Sequence, residues 1–255
     1  MRALTLLLVV LSTAAAGAQP PQPRTDPNVE RAQTHYRLGW ESLRSEAWDK
    51  AVREFQQAIE LHPKFALAYY GLGKAHMGLR RYPDAIRAYE TCRDFYVAKA
   101  GEKFSGQHDA TRARQDRMLE LQELSRQLSK GPQTPQVQDS QRLLQNAMRI
   151  TQDATDRGLS MDIDAAAPAF VSVALGSAYF RAERFADAER EYKAALSADA
   201  SAGEAHNNLA VVYMLTGRLD DSAKELALAE KVGFRVNPQF KKDLDEKRKR
   251  AAKGG

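Results

Sequence analysis

The stretch YRLGWESLRSEAWDKAVREFQQAIELHP, residues 36–63, carries the pattern that decides the fold. Leu38-Gly39 is followed twelve residues after the glycine by Ala51, then by Phe55 and Ala58, with Trp48 three places before the alanine. The same spacing recurs three times. Leu72-Gly73 leads to Ala85, Tyr89 and Cys92, Leu175-Gly176 to Ala188, Tyr192 and Ala195, and Leu209-Ala210 to Ser222, Leu226 and Ala229. Tyr82, Phe185 and Leu219 stand where Trp48 stands. Gly39 and Gly73 are 34 residues apart, and Gly176 and Ala210 are again 34 apart.

These residue types suit a helix–turn–helix unit. Gly39 and Ala51 lie where two antiparallel helices cross, and a missing or minimal side chain lets the backbones approach. Phe55 fills the space between the helices, and Ala58 leaves room for the next unit. Pro63 cannot continue a helix and closes the first copy. One such unit cannot bury its apolar face alone, so neighbours must stack.

The small, aromatic, small order at this period resembles the tetratricopeptide repeat (TPR). The resemblance implies an all-α solenoid and a protein-binding role, and it covers a little over half the chain. Its departures are mild: Val97 stands where the second copy would close with proline, Ser222 replaces an alanine, and Leu226 replaces an aromatic.

The remaining segments complete the expected organisation. Residues 1–18 read as a signal peptide, with Arg2, an apolar run centred on Leu6 to Leu11, and Ala16-Gly17-Ala18 as the cleavage site. The run is shorter than the roughly 20 residues that span a bilayer. The expected localisation is therefore exported, periplasmic or secreted, with no transmembrane segment after cleavage. Residues 19–31 read as a flexible linker, 32–98 as the first repeat pair, and 169–236 as the second.

Residues 99–168 lack the repeat spacing and read as an inserted helical hairpin. One arm spans about His108 to Lys130, with Met118, Leu121, Leu124 and Leu128 on a stripe. The other spans about Gln136 to Asp156, with Val137, Leu144 and Met148. Gly131 to Pro135 breaks the helices between them. Residues 237–255 read as a capping helix, in which Phe240 and Leu244 form one apolar edge, ending in a basic tail.

Composition narrows the function. The chain has 38 basic and 33 acidic residues, a near balance that gives no nucleic-acid footprint. Its single cysteine, Cys92, has no partner for a disulfide and occupies a small-residue packing position. No histidine lies in an H-E-x-x-H frame, and no cysteine pair or acidic loop has metal-ligand spacing. His35 and His206 occupy equivalent first-helix positions and read as packing residues. Met161 to Asp164 reads as helix capping. Neither metal, cofactor nor catalytic residue is expected, and the chain is read as non-enzymatic.

Binding surface is what this architecture supplies. The residues opposite the Leu-Gly seam face the concave groove. They are Gln33, Tyr36, Trp40, Leu43 and Arg44, then Leu67, Tyr70, Lys74 and Met77. The third repeat adds Phe170, Val173, Ser177, Phe180 and Arg181, and the fourth Glu204, Asn207, Val211 and Met214. Aromatic and methionine side chains of this kind are enriched at interfaces. Tyr36, Trp40 and Tyr70 are expected to be solvent-accessible anchors, against the rival that several groove residues are buried or covered by the hairpin. Lys74 and Asn208 alone do not rebuild the carboxylate clamp that some TPR proteins carry.

The expected function is a non-enzymatic scaffold of the bacterial envelope that binds a protein or peptide in this groove. The alternatives are weak docking of the basic tail on anionic lipid or polymer, or an accessory subunit of a secretion or assembly machine.

Overall fold

The computed structural model describes residues 26–101, 107–156 and 167–253, so the signal-peptide and Met161–Asp164 readings lie outside the described residues. Eleven helices and no strand are found among them. The first repeat is α1 (Pro27–Arg44) and α2 (Trp48–Leu61), and the second α3 (Ala66–Gly78) and α4 (Tyr82–Gly101). The insertion is α5 (Gln107–Ser129) and α6 (Pro135–Asp156). The third repeat is α7 (Ala169–Arg181) and α8 (Phe185–Ala198), the fourth α9 (Gly203–Leu215) and α10 (Leu219–Lys231), and α11 (Pro238–Lys253) follows.

The linker expectation is corrected at one end. Helix α1 starts at Pro27, so residues 27–31 are helical and not spacer. The Asp26 carboxylate accepts the Asn28 N–H at 2.9 Å, and proline suits the first helical position.

The repeat code works as close packing. A Cβ built on Gly39 would lie 2.7 Å from the Phe55 ring, and one on Gly71, in the next repeat, closer still to the same ring. One aromatic is therefore gripped by the glycines of its own repeat and of its successor. Gly73 with Tyr89 and Gly176 with Tyr192 repeat the close approach. In the fourth repeat the partners change together: Ala210 adds a methyl where the others have none, and Leu226 stands where they have a ring. The Ser222 hydroxyl, fully buried, donates to the Ala210 carbonyl at 2.7 Å.

Each repeat turns by the same device. The N–H groups of Ala47, Arg81, Arg184 and Arg218 donate across six-residue turns to the carbonyls of Ser42, His76, Tyr179 and Tyr213, at 2.8–2.9 Å. The residue before each donor is left-handed: Glu46 (φ 55°), Arg80 (57°), Glu183 (59°) and Gly217 (80°). This is the Schellman ending of a helix, which normally favours glycine. Only the last repeat supplies one.

The two repeat pairs form one continuous stack, because α4 packs directly against α7 as α2 does against α3 and α8 against α9. The α5–α6 hairpin is an excursion from that stack. Its Leu121, Leu124, Leu128, Leu143 and Leu144 belong to the same buried core as Tyr36, Trp40, Tyr70 and Phe170. The hairpin therefore lies across the repeats' own apolar face. A second, smaller core joins Ala210 and Leu226 to Leu244 of α11, with Phe240 beside it. That is the cap expected from the sequence.

Candidate functional site

The groove residues are brought together, but not as an open surface. Trp40 is 3% exposed, Tyr70 2% and Tyr36 1%, and Phe170 and Val173 are also buried. The expectation of solvent-accessible anchors at Tyr36, Trp40 and Tyr70 is thereby corrected. The cause is an aromatic layer that extends across the repeats and is covered by the hairpin. Tyr36 packs on Phe65 at 4.9 Å between ring centroids, and both Tyr36 and Trp40 meet Phe55 edge-on, at 6.0 and 6.3 Å. Tyr70 meets Phe170 edge-on at 5.2 Å, joining the second repeat to the third.

The hairpin does not fill the face completely. A cavity of about 380 Å³ remains between it and the first helices of the repeats. Of the expected groove residues, Trp40, Leu43, Arg44, Tyr70, Lys74, Met77, Phe170, Val173, Ser177 and Glu204 line it. The roof is Gln127, Leu128, Gly131, Pro132, Val137, Ser140 and Leu143. Tyr36 sits apart, beside a cleft between α1, α3 and α5, while Asn207 and Val211 stay half-buried on α9 outside the cavity. The Arg44 guanidinium donates to the Gln127 side-chain oxygen at 3.3 Å and ties α1 to the roof.

Lys74 and Glu204 give the chamber its electrostatics. Both are half-buried and line the cavity. Lys74 lies over the Tyr70 ring, 5.8 Å from its centroid. Neither residue forms an ion pair among the described residues. Burial pushes the Glu204 carboxyl up to about 7, nearby Asp139 on α6 adds to the rise, and Lys74 opposes it. Burial lowers Lys74, with Glu204 pulling the other way. The Ser177 hydroxyl lies 3.3 Å from the Tyr192 hydroxyl.

The roof residues were not expected from the sequence. The available signal was the breadth of the apolar arc on α6: Leu143 lies beside Leu144, off the single stripe that a two-helix seam needs. The histidines differ in kind from simple packing residues. His35 Nδ1 lies 2.9 Å from Glu54 and His206 Nδ1 2.6 Å from Glu225, equivalent bridges between the two helices of the first and last repeats. Among the described residues no group of His, Cys, Asp and Glu could hold a metal ion, and no helix is long and apolar enough to cross a membrane. In the basic tail, Lys241 pairs with Glu230 at 2.9 Å and Arg248 with Asp220 at 2.8 Å, both on α10.

Comparison with known proteins agrees with the repeat geometry. The family model described as tetratricopeptide repeat matches residues 36–93 and 173–235. A comparison with curated proteins finds no significant match. Among solved structures, PilW, a widely conserved type IV pilus biogenesis factor, is 15% identical with TM-score 0.36. The match covers 81% of this chain and 79% of that one. TTC0263, a thermophilic TPR protein of Thermus thermophilus, is 21% identical with TM-score 0.33, covering 87% and 97%. YrrB, a TPR protein with an unusual peptide-binding site, is 16% identical with TM-score 0.26, covering 80% and 87%. With four stacked helix pairs built on one small–aromatic–small code and the family model matching across all four, the chain belongs to the tetratricopeptide-repeat superfamily.

Proposed function

We propose that this chain is a non-enzymatic protein-interaction scaffold of the bacterial envelope, which holds a protein or peptide on the concave face of its repeats. One observation carries the reading: that face already holds a helical hairpin by inserted leucines, so it is a surface built to take a helix. The hairpin covers the face over the first three repeats and reaches the start of α9 at Glu204. Asn207 and Val211 of α9 remain half-buried outside the chamber and extend the groove past it, while Met214 packs against the core under α11. A partner would engage this uncovered end, or the whole face once the hairpin lifts. The apolar run at residues 3–16 and the A-x-A site at its end motivate the envelope location. An accessory role in a larger secretion or assembly machine is a special case of the same scaffold. Docking through the basic tail has less support, since Lys241 and Arg248 already have acidic partners on α10.

The test is a photo-crosslinking residue placed at Asn207 or Val211 in intact cells. Capture of a different protein from Asn207, lost when Val211 is replaced by lysine, is the expected result. Exclusively self-crosslinked products would overturn the reading in favour of a homo-oligomeric structural role.

A further inference from the structure

The chamber under the hairpin has a composition that packing alone does not account for. Its volume of about 380 Å³ is within the range of small-molecule sites, roughly 300–1,000 Å³. It has room for roughly a dozen groups of the size of water at about 30 Å³ each. Its walls are chiefly apolar, including Trp40, Trp48, Met77 and Phe170. Among the described residues that line it, three are charged: Arg44, Lys74 and Glu204. Two cations thus face one carboxyl, and neither cation has an ion-pair partner among the described residues. Burial already disfavours the Lys74 charge, and an ammonium at the wall of an apolar space is best compensated by an anion beside it.

We propose that the chamber is a binding site for a small carboxylate-bearing apolar molecule, a medium-chain fatty acid or an arylalkanoic acid, with its carboxylate at Lys74 and Arg44 and its apolar body against Trp40, Met77 and Phe170. The assignment does not depend on a protein partner in the groove. The same charges exclude other small ligands. A cationic amphiphile would face Lys74 and Arg44. A neutral alcohol would leave both cations uncompensated. Glu204 fits the same occupant: with its carboxyl held near neutral pH in partly protonated form, it can donate a hydrogen bond to the incoming carboxylate. Because the roof is Leu128, Val137 and Leu143, the ligand would also tie the hairpin to the repeats.

The experiment is a fluorescence titration of the full chain with decanoate, since Trp40 and Trp48 are its only two tryptophans and both line the chamber. Decanol and decyltrimethylammonium serve as probes of equal chain length. The expected result is a saturable change in emission below about 1 mM decanoate, with decanol weaker by about tenfold or more and the cation inactive. Lys74→Met should weaken decanoate by about tenfold or more and leave decanol unchanged. Ala174→Trp, which fills the chamber from α7, should abolish the decanoate-induced thermal shift while the variant remains folded by circular dichroism. Equal binding of decanoate and decanol, or no saturable change with either, would overturn the proposal. So would binding of a short apolar peptide through its C-terminal carboxylate with decanoate excluded, which would reassign the chamber to peptide ends.

Discussion

Arg93 of α4 and Glu191 of α8, 98 positions apart in the chain, are joined at 3.0 Å across the junction of the two repeat pairs. Glu191 is buried and Arg93 half-buried. Burial raises the Glu191 carboxyl above its usual range, even though Arg93 pulls it down. The two partners should therefore respond unequally. Arg93→Ala leaves the buried carboxylate only the more distant Arg190, at 3.7 Å, and should cost about 2–4 kcal/mol, near the lower end for broken buried pairs. Glu191→Gln should cost less than about 1 kcal/mol, because it removes the charge whose desolvation dominates. Urea denaturation of both variants reads the difference.

The left-handed turns offer a swap. Glu183 sits at φ 59° and Gly217 at φ 80° in equivalent positions, and the space around a Cβ at 217 is open. Left-handed backbone costs a residue with a side chain about 1–2 kcal/mol. Glu183→Gly should raise stability by up to about 1 kcal/mol after the extra flexibility of the unfolded chain is counted. Gly217→Glu should lower it by about 1–2 kcal/mol. Thermal melts of opposite sign are the expected outcome.

Direct packing of α4 on α7 bears on the insertion. Replacing residues 105–158 with a short flexible linker should leave both repeat pairs helical by circular dichroism. It should also expose the face that includes Tyr36, Trp40, Tyr70 and Phe170. The shortened protein should bind a hydrophobic dye and self-associate where the full chain does not. Loss of helicity throughout would instead make the hairpin an obligatory part of the stack.

Trp40 should behave as a core residue. Trp40→Ala should cost about 3–5 kcal/mol, as for other buried large aromatics. In the full chain iodide should leave the Trp40 emission unquenched, and a Trp48→Phe background isolates that signal.

Glu204 makes stability depend on pH. Its carboxyl titrates near 7 when folded against 4.5 when free, so the folded state holds that proton more tightly. The resulting stabilisation is fully present below about pH 4.5 and is lost as pH rises through about 7, on the order of 3 kcal/mol. Glu204→Gln should flatten this decline in the urea midpoint and raise stability at pH 8. An unchanged pH profile would show that the carboxyl is not enclosed.

Much of the fold is legible from the sequence because the repeat code is written in volume. Gly39 with Phe55 and Gly176 with Tyr192 are each other's complements, and a fixed spacing reveals them without any structure. The hairpin arms were also legible in length, since Gly131 to Pro135 must break a helix. What covers the groove was not, because a stripe such as Leu121, Leu124 and Leu128 says that a face is buried and not against what. The left-handed turns were hidden for a different reason. Glu46, Arg80 and Glu183 adopt the conformation without the glycine that would announce it, and Gly217 alone shows the signal. Of the site, helical phase opposite the Leu-Gly seam picked out Trp40, Tyr70, Lys74 and Phe170, which the structure places around one cavity. Their exposure depended on α5 and α6, a segment whose own spacing carries no mark of the repeats it covers.

Cys92 is fully buried beneath the second repeat, and burial raises its thiol far above the range where it would be reactive. The protein's exterior is thus chemically silent toward maleimides and other thiol reagents. A single cysteine introduced at the exposed Leu119 on α5, paired with another at the exposed Leu215 on α9, would accept spectroscopic labels with no background to remove. Distances between such labels would report hairpin movement directly, in the native sequence context and without first deleting a natural residue.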